Sequence, residues 1–263
     1  MSQTKPRVAV HKLASCDGCQ LTLLDCEEYL LDLVGALDIV YFMEARSLAE
    51  PGPWDISLVE GSVSTPQQVE EIRHIRAQSR FLVAIGTCAT AGGIQALRNG
   101  YQLDAFKAAV YARPEVVESL ATSTPISEHV TVDLELQGCP ISREQLLYAI
   151  TSLLSGHIPD LPSHSVCLEC KRRGNLCLLV SSGTPCLGPV VHTGCGALCP
   201  SYGRGCYGCF GPSDAPQVEA LALQFEERGL SQADVVRRFR LMNVFAEPFR
   251  KGMEAYERKA HQS

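Results

Sequence analysis

The stretch RVAVHKLASCDGCQ, residues Arg7–Gln20, decides the fold. Its first part, Arg7–Ala14, is apolar and β-branched in the way that predicts a buried strand. Cys16 and Cys19 follow directly, separated only by Asp17 and Gly18. A strand that ends in a pair of thiols predicts that ligand chemistry lies at one edge of a sheet.

Further strand patterns alternate with helix patterns along the first part of the chain. Strands are predicted at Asp38–Phe42, Asp55–Glu60 and Phe81–Gly86, and in the alternating run His129–Pro140. Alternation of this kind predicts an α/β fold, a flavodoxin-like doubly wound parallel sheet.

Helix start and stop signals lie between these strands. Leu21–Leu37 is a long leucine-rich helix pattern with acidic residues near its start. Thr65-Pro66 with Gln68, and Ser142 with Gln145, have the spacing of capping boxes that open two more helices. Gly156 suits the residue after the end of the last of these helices.

The composition changes after about residue 159, and it predicts three regions. Residues 1–158 form the flavodoxin-like domain, residues 159–212 an irregular Cys-rich domain, and residues 213–263 a helical C-terminal tail. The middle region has little periodicity and much Cys, Gly and Pro, so it needs a cross-link or a metal to become ordered.

Charge and cysteine content exclude several classes of protein. The net charge is −6, and KRR at 171–173 is the only dense basic run, so nucleic acid is not an expected partner. No apolar run long enough for a membrane span and no export signal are found, so we expect a cytoplasmic protein. Thirteen cysteines in a reducing compartment, an odd number, indicate metal or cluster ligation rather than disulfides.

Four cysteines and one carboxylate follow the predicted strands. Cys16 and Cys19 come after the first strand, Cys88 after the fourth and Cys139 after the fifth, while Glu60 ends the third. Parallel strands bring these positions to one edge. The flanking glycines and the single CxxC pair favour an iron–sulfur cluster over zinc, with buried apolar thiols as a further alternative.

The second cysteine group contains eight thiols, which suit two four-ligand sites. In chain order they are Cys167, Cys170, Cys177 and Cys186, then Cys195, Cys199, Cys206 and Cys209. Division by chain order is the simplest arrangement, although Cys177, Cys186 and Cys199 could exchange between the sites. Two zinc ribbons are the structural alternative.

Two further features in the sequence carry no cluster chemistry. The glycines of GRGCYG, residues 203–208, match GxGxxG, but no strand precedes them and no helix follows, so we do not predict a dinucleotide site. Cys26 falls inside the predicted first helix and is expected to be a packed or surface thiol rather than a ligand.

Seven motifs, taken in order, match one family. SCDGCQ, EGS, GTCATAGG, GCP, CLECKRRGNLC, CLGPV and GCGALCPSYGRGCYGCFGP together resemble the small, electron-transfer subunit of nickel–iron hydrogenases. The resemblance is to the cytoplasmic group that includes the sulfhydrogenases and couples hydrogen to NADP(H). It extends over the chain to about Pro212.

The resemblance implies three [4Fe–4S] clusters in this chain. Their ligands would be Cys16, Cys19, Cys88 and Cys139 for the proximal cluster, Cys167, Cys170, Cys177 and Cys186 for the distal one, and Cys195, Cys199, Cys206 and Cys209 for the medial one. Membrane-bound relatives have histidine at the position of Cys167 and often proline in place of one medial cysteine. Here Cys199 would provide that fourth thiol, which should lower the medial potential.

The resemblance also implies partners. The nickel–iron site would lie on a large subunit, because the clusters take twelve of the thirteen cysteines and leave only Cys26. Flavin- and iron–sulfur-containing subunits would exchange electrons with this chain, with NADP(H) or polysulfide as the final couple. Glu60 would either touch the large subunit or its proton path, or orient the turn beside the proximal cluster.

Two other hypotheses remain at this point. A cluster subunit of the respiratory quinone reductase kind is disfavoured, since that family has adjacent proximal cysteines and lacks the eight-cysteine segment. A zinc-stapled interaction scaffold is the non-enzymatic alternative.

Overall fold

The computed structural model describes residues 5–26, 29 and 35–260, the side chains of 259 and 260 excepted. The chain divides into two compact units, Met1–Pro159 and Asp160–Ser263. None of the helices in the described ranges is both long and apolar enough to cross a membrane.

The first unit is built on a five-stranded sheet. The strands are β1 (Arg7–Lys12), β2 (Asp38–Phe42), β3 (Trp54–Glu60), β4 (Ser79–Ile85) and β5 (Leu134–Leu136). Their order is β2-β1-β3-β4-β5 and every pair is parallel. This is the flavodoxin-like order, so the predicted fold class is confirmed.

The register of the sheet determines where the site forms. Lys12 pairs with Glu60, Glu60 with Ile85, and Ile85 with Leu136. The carboxyl ends of four strands are therefore level, and the segments that follow them leave the sheet along one edge.

Helices cover the sheet and connect its strands. They are α1 (Gly18–Leu24), α2 (Pro66–Gln78), α3 (Gly86–Ala91), α4 (Leu103–Val110) and α5 (Arg143–Leu154), with 3-10 turns at Ile94–Gly100, Pro114–Val116 and Ile126–Glu128. The Thr65–Gln68 capping box is present in full, and the Ser142 hydroxyl accepts the Gln145 N–H. Buried apolar side chains of β3, β4 and α2 form a core beneath them.

Two predictions about this unit differ from the structure. The helix predicted at Leu21–Leu37 begins earlier, at Gly18, and α1 ends at Leu24. Residues 29, 35 and 36 of that range are helical, and residues 27, 28 and 30–34 lie outside the described residues. The alternating run at 129–140 pairs only over Leu134–Leu136, because the Asp133 carboxylate accepts the Leu82 N–H at the start of the ladder.

The second unit is less irregular than the sequence predicts. Its cysteine segment contains the short helices α6 (Val166–Arg172), α7 (Leu178–Ser181) and α8 (Leu198–Ser201), with a 3-10 turn at Gly188–Val190. The sequence does not predict these helices, because they are only four to seven residues long and show no apolar periodicity.

The tail that follows packs in the same unit. It consists of α9 (Val218–Glu227), α10 (Gln232–Arg240) and α11 (Glu247–Ala260), whose phenylalanines Phe225, Phe239 and Phe249 are fully buried. Asn243 Nδ2 donates a 2.7 Å hydrogen bond to the carbonyl of Gly208, which ties the tail to the cysteine segment. The separate domain boundary at 212/213 stays a prediction.

Candidate iron–sulfur centres

The first four cysteines meet at the level edge of the sheet. Cys16 follows β1, Cys19 lies in α1, Cys88 lies in α3 directly after β4, and Cys139 follows β5. Burial, together with the smaller effects of the neighbouring thiols of Cys139 and Cys16, raises the pKa of Cys88 to about 11. The structure thus brings this predicted set together in space.

The raised pKa values of these thiols indicate what kind of group they would bind. Burial raises the pKa of Cys19, and Glu60 and the other thiols add to the rise. Burial raises the pKa of Cys139 as well, with contributions from Cys16 and Glu60. Neighbouring thiols that are costly to ionise favour a cationic occupant, because metal ions stabilise thiolates directly.

Two glycines leave room for the sulfurs. Gly86 has φ 85°, and a side chain there would overlap Cys19 Sγ. Gly93 has φ 58°, and a Cβ atom there would lie 2.6 Å from Cys88 Sγ. Neither position tolerates a side chain, so the backbone closes tightly behind the thiols, a cradle that fits a bulky inorganic group held by four sulfurs.

Glu60 fixes the turn that carries the first cysteine pair. Its buried carboxylate accepts the N–H of Cys19 through Oε1 at 3.3 Å and the N–H of Gln20 through Oε2 at 3.1 Å. Asp17 precedes α1 with φ 67° and does not cap it; its carboxylate instead binds Lys12 Nζ at 2.6 Å. Glu60 therefore caps this helix from another strand.

This contact bears on the two interpretations of Glu60. Burial raises the pKa of the carboxyl, while the N–H groups of Cys19 and Gln20 lower it. Both oxygens are engaged by backbone donors of the cysteine turn, as the orienting interpretation requires. A contact with a large subunit or a proton path stays a prediction.

The next four cysteines line one cavity in the second unit. Its volume is about 40 Å³, and its walls include Cys167, Cys170, Cys177 and Cys186. Apolar side chains such as Val166, Leu178 and Leu179 complete the lining. Burial, together with the smaller effects of the nearby thiols of Cys186, Cys170 and Cys177, raises the pKa of Cys167 to about 11. The first set in chain order is thus also a set in space.

The last four cysteines are neighbours as well. Burial raises the pKa of Cys206, and among the other contributors are the thiols of Cys186, Cys209 and Cys195. Burial also raises the pKa of Cys195, with Glu169 and Cys199 adding to the rise. The chain-order division matches these neighbours, although Cys186 and Cys206 show that the two sets adjoin.

Backbone N–H groups point at the sulfurs of both sets. The N–H of Cys206 donates to Cys186 Sγ at 3.2 Å, and the N–H of Gly208 donates to Cys206 Sγ at 3.4 Å. Hydrogen bonds of this kind stabilise negative charge on sulfur and tune iron–sulfur potentials. The donors fit a cluster occupant, and the ligand assignments themselves stay predictions.

Side chains outside the three sets have other partners. Cys26 lies beyond α1 rather than within it; it is buried, and its Sγ contacts the carbonyl oxygen of Thr22 at 3.3 Å. His192 Nδ1 contacts the carbonyl of Thr193 at 2.6 Å. Over residues 5–26, 29 and 35–260, no three His, Cys, Asp or Glu side chains are close enough to hold a single metal ion.

One carboxylate of the second unit is not found by sequence analysis. Glu169 accepts the N–H of Gly194 at 3.1 Å and that of Ala197 at 3.1 Å, on either side of Cys195. Its position inside CLEC gives no signal, because its partners lie 25 and 28 residues away along the chain.

Comparison with known proteins places this arrangement in a family. The family described as NADH ubiquinone oxidoreductase, 20 Kd subunit, matches residues 16–153. Sulfhydrogenase 2 subunit delta from Pyrococcus furiosus is 38% identical over 207 residues, which cover 79% of this chain and 86% of that subunit.

Solved structures agree. A chain of an NAD+-reducing [NiFe]-hydrogenase in the H2-reduced state is similar with a TM-score of 0.56 and 33% identity, covering 60% of this chain and 96% of its own. The actinobacterial-type NiFe-hydrogenase from Ralstonia eutropha H16 has a chain similar in fold, with a TM-score of 0.58 at 17% identity, covering 91% and 90%. The chain belongs to the family of nickel–iron hydrogenase small subunits, and it is the electron-transfer subunit of such an enzyme.

Proposed function

We propose that this subunit holds three [4Fe–4S] clusters and relays electrons between a nickel–iron site on a large subunit and a flavin- and iron–sulfur-containing subunit. The observation that carries the proposal is the gathering of twelve thiols into three sets, one in the first unit and two in the second. The proximal set is Cys16, Cys19, Cys88 and Cys139; the distal set is Cys167, Cys170, Cys177 and Cys186; the medial set is Cys195, Cys199, Cys206 and Cys209.

The residues of this chain contribute positioning and environment. A [4Fe–4S] cluster, when bound, accepts and releases one electron without any change in covalent partners. The thiolates hold it, the apolar walls of the cavity exclude water, and N–H donors such as that of Gly208 stabilise the added negative charge. No acid or base is required of these sets, because outer-sphere electron transfer moves no proton at a ligand.

We infer the partners from the cysteines left outside the three sets and from the names of the relatives. Hydrogen activation is assigned to a large subunit, since Cys26 alone remains outside the three sets and is buried. The relatives are named a sulfhydrogenase and an NAD+-reducing hydrogenase. We therefore assign the final couple to NAD(P)(H) or polysulfide, and the compartment to the cytoplasm.

An exposed face beside the distal set suits the redox partner. Cys177 is exposed, and its neighbours Leu176 and Val180 are 71% and 75% exposed. The basic run at 171–173 is exposed on the same segment. Exposed apolar side chains on a segment that also carries positive charge favour a partner surface with apolar and acidic side chains.

Iron analysis of the anaerobically purified complex tests the proposal. About twelve irons for each copy of this chain are expected from three four-iron clusters, with the broad visible absorbance of thiolate-to-iron charge transfer. A co-purifying large subunit and flavoprotein should be identified by mass spectrometry. Stoichiometric zinc without that absorbance would refute the proposal and support the zinc-stapled scaffold.

A further inference from the structure

Glu169 links the two cysteine sets of the second unit. It lies on α6 between Cys167 and Cys170, two members of the distal set. Its carboxylate reaches the loop of the medial set, where Oε1 accepts the N–H of Gly194 and Oε2 accepts the N–H of Ala197, each at 3.1 Å. These two donors flank Cys195. One side chain therefore fastens the loop of one set to the helix of the other.

The loop has a local reason to need this support. Ala197 has φ 53°, a left-handed conformation that side-chain-bearing residues seldom adopt, and it is fully buried. The surroundings must hold such a residue in place, and the carboxylate does so at its N–H. Without Glu169, the N–H groups of half-buried Gly194 and buried Ala197 would lose this acceptor, and the left-handed conformation of Ala197 would lose a constraint.

Charge gives the same side chain a second effect. The Glu169 carboxylate accepts the N–H groups of Gly194 and Ala197 on either side of Cys195, so its negative charge lies close to that ligand loop. A negative charge beside a redox group opposes the addition of an electron. The Arg173 guanidinium lies over Gly196 on the same loop; a Cβ there would be 2.7 Å from it. This opposite charge is exposed and more strongly screened.

We propose that Glu169 is a positioning residue that holds the Cys195 loop against α6, sets the geometry between the two C-terminal cysteine sets, and lowers the reduction potential of the group bound by the medial set. The proposal rests on the proposed function, because it assumes that these thiols hold clusters. It assigns no contact between Glu169 and a cluster.

The test uses the whole hydrogenase complex, purified without oxygen, with the variants E169Q and E169A. E227Q is the matched control, since Glu227 is an exposed glutamate of the same unit on α9. Iron content and a redox titration followed by electron paramagnetic resonance are measured for each. Both readouts are independent of hydrogen turnover.

E169Q should keep about twelve irons but shift one cluster signal to a higher midpoint potential, because it removes the charge and retains one acceptor oxygen. E169A should lose about four irons and one signal, while the other two signals remain. If the E169A complex fails to assemble, the midpoint potential measured for E169Q tests the inference by itself.

Potentials and iron in both variants equal to those of E227Q would overturn the inference and leave the proposed function standing. A wild-type complex without iron would instead refute the proposed function. A uniform shift of all signals in E169Q would also contradict the inference, since it would indicate a global rather than a local effect.

Discussion

The two units collect their cysteines by different means. In the first unit, the register of a parallel sheet brings distant segments level, so the proximal set follows from a fold that has its own apolar core. In the second unit, short helices and loops surround the cavity lined by the distal set. A sheet can pre-form a site, whereas a segment of short helices depends more heavily on what the site binds.

Both units nevertheless use one device. Glu60 and Glu169 each accept two backbone N–H groups from a cysteine-bearing turn, and each lies far along the chain from its partners. Glu60 is buried at the end of a central strand, and Glu169 is half-buried on a seven-residue helix. The same bonds should therefore have different consequences in the two units.

Iron removal should produce the largest difference in stability between the two units. Chelation of the reduced complex should abolish amide protection across residues 165–212, because their short helices and loops surround the proposed cluster sites, while β1, β3 and β4 keep theirs. Hydrogen–deuterium exchange with mass spectrometry measures both in one sample. Equal loss of protection in the two units would contradict the comparison.

Loss of one proximal ligand comes next in size. Cys88→Ser should lower the iron content by about four atoms out of about twelve and uncouple hydrogen oxidation from reduction of the pyridine nucleotide. The sheet should persist, because Cys88 follows β4 and leaves the strand pairing unchanged. Iron analysis and coupled turnover are the measurements, and full coupled turnover would show that Cys88 is not a ligand.

Features that neighbouring residues determine could be predicted from the sequence. Strand periodicity gave the five strands, and the spacing of Thr65 and Gln68 gave a helix start, because neighbouring residues determine both. Spacing along the chain could not reveal the hydrogen bonds of the Glu60 carboxylate, because its partners lie 41 and 40 residues away. Nor could it find the end of α1 before Cys26, since the leucine pattern continues beyond it. Contacts between residues far apart along the chain cannot be predicted from the local spacing of residue types.

Glu60→Gln should have an intermediate effect and should distinguish the two interpretations of this residue. The amide keeps one acceptor, so one N–H of Cys19 or Gln20 loses its charged partner, at a cost of about 1.5–3 kcal/mol. We expect iron to be released to a chelator roughly tenfold faster or more from the proximal set, since about 1.4 kcal/mol corresponds to a factor of ten.

The exposed Glu70 on α2 provides the control, as Glu70→Gln. Unchanged iron release with reduced hydrogen turnover in Glu60→Gln would instead support a role in the proton path or at the large subunit.

Cys26→Ala should have the smallest effect, and it marks the limit of the proximal set. Cys26 is buried, as Cys19 is, but its sulfur contacts the backbone oxygen of Thr22, and burial is the main cause of its raised pKa. Replacement by alanine should leave about twelve irons and all cluster signals unchanged, with a modest loss of stability from the lost sulfur packing. Iron analysis beside Cys88→Ser measures the contrast. A loss of iron would mean that burial and proximity, rather than position at the edge of the sheet, select the ligands.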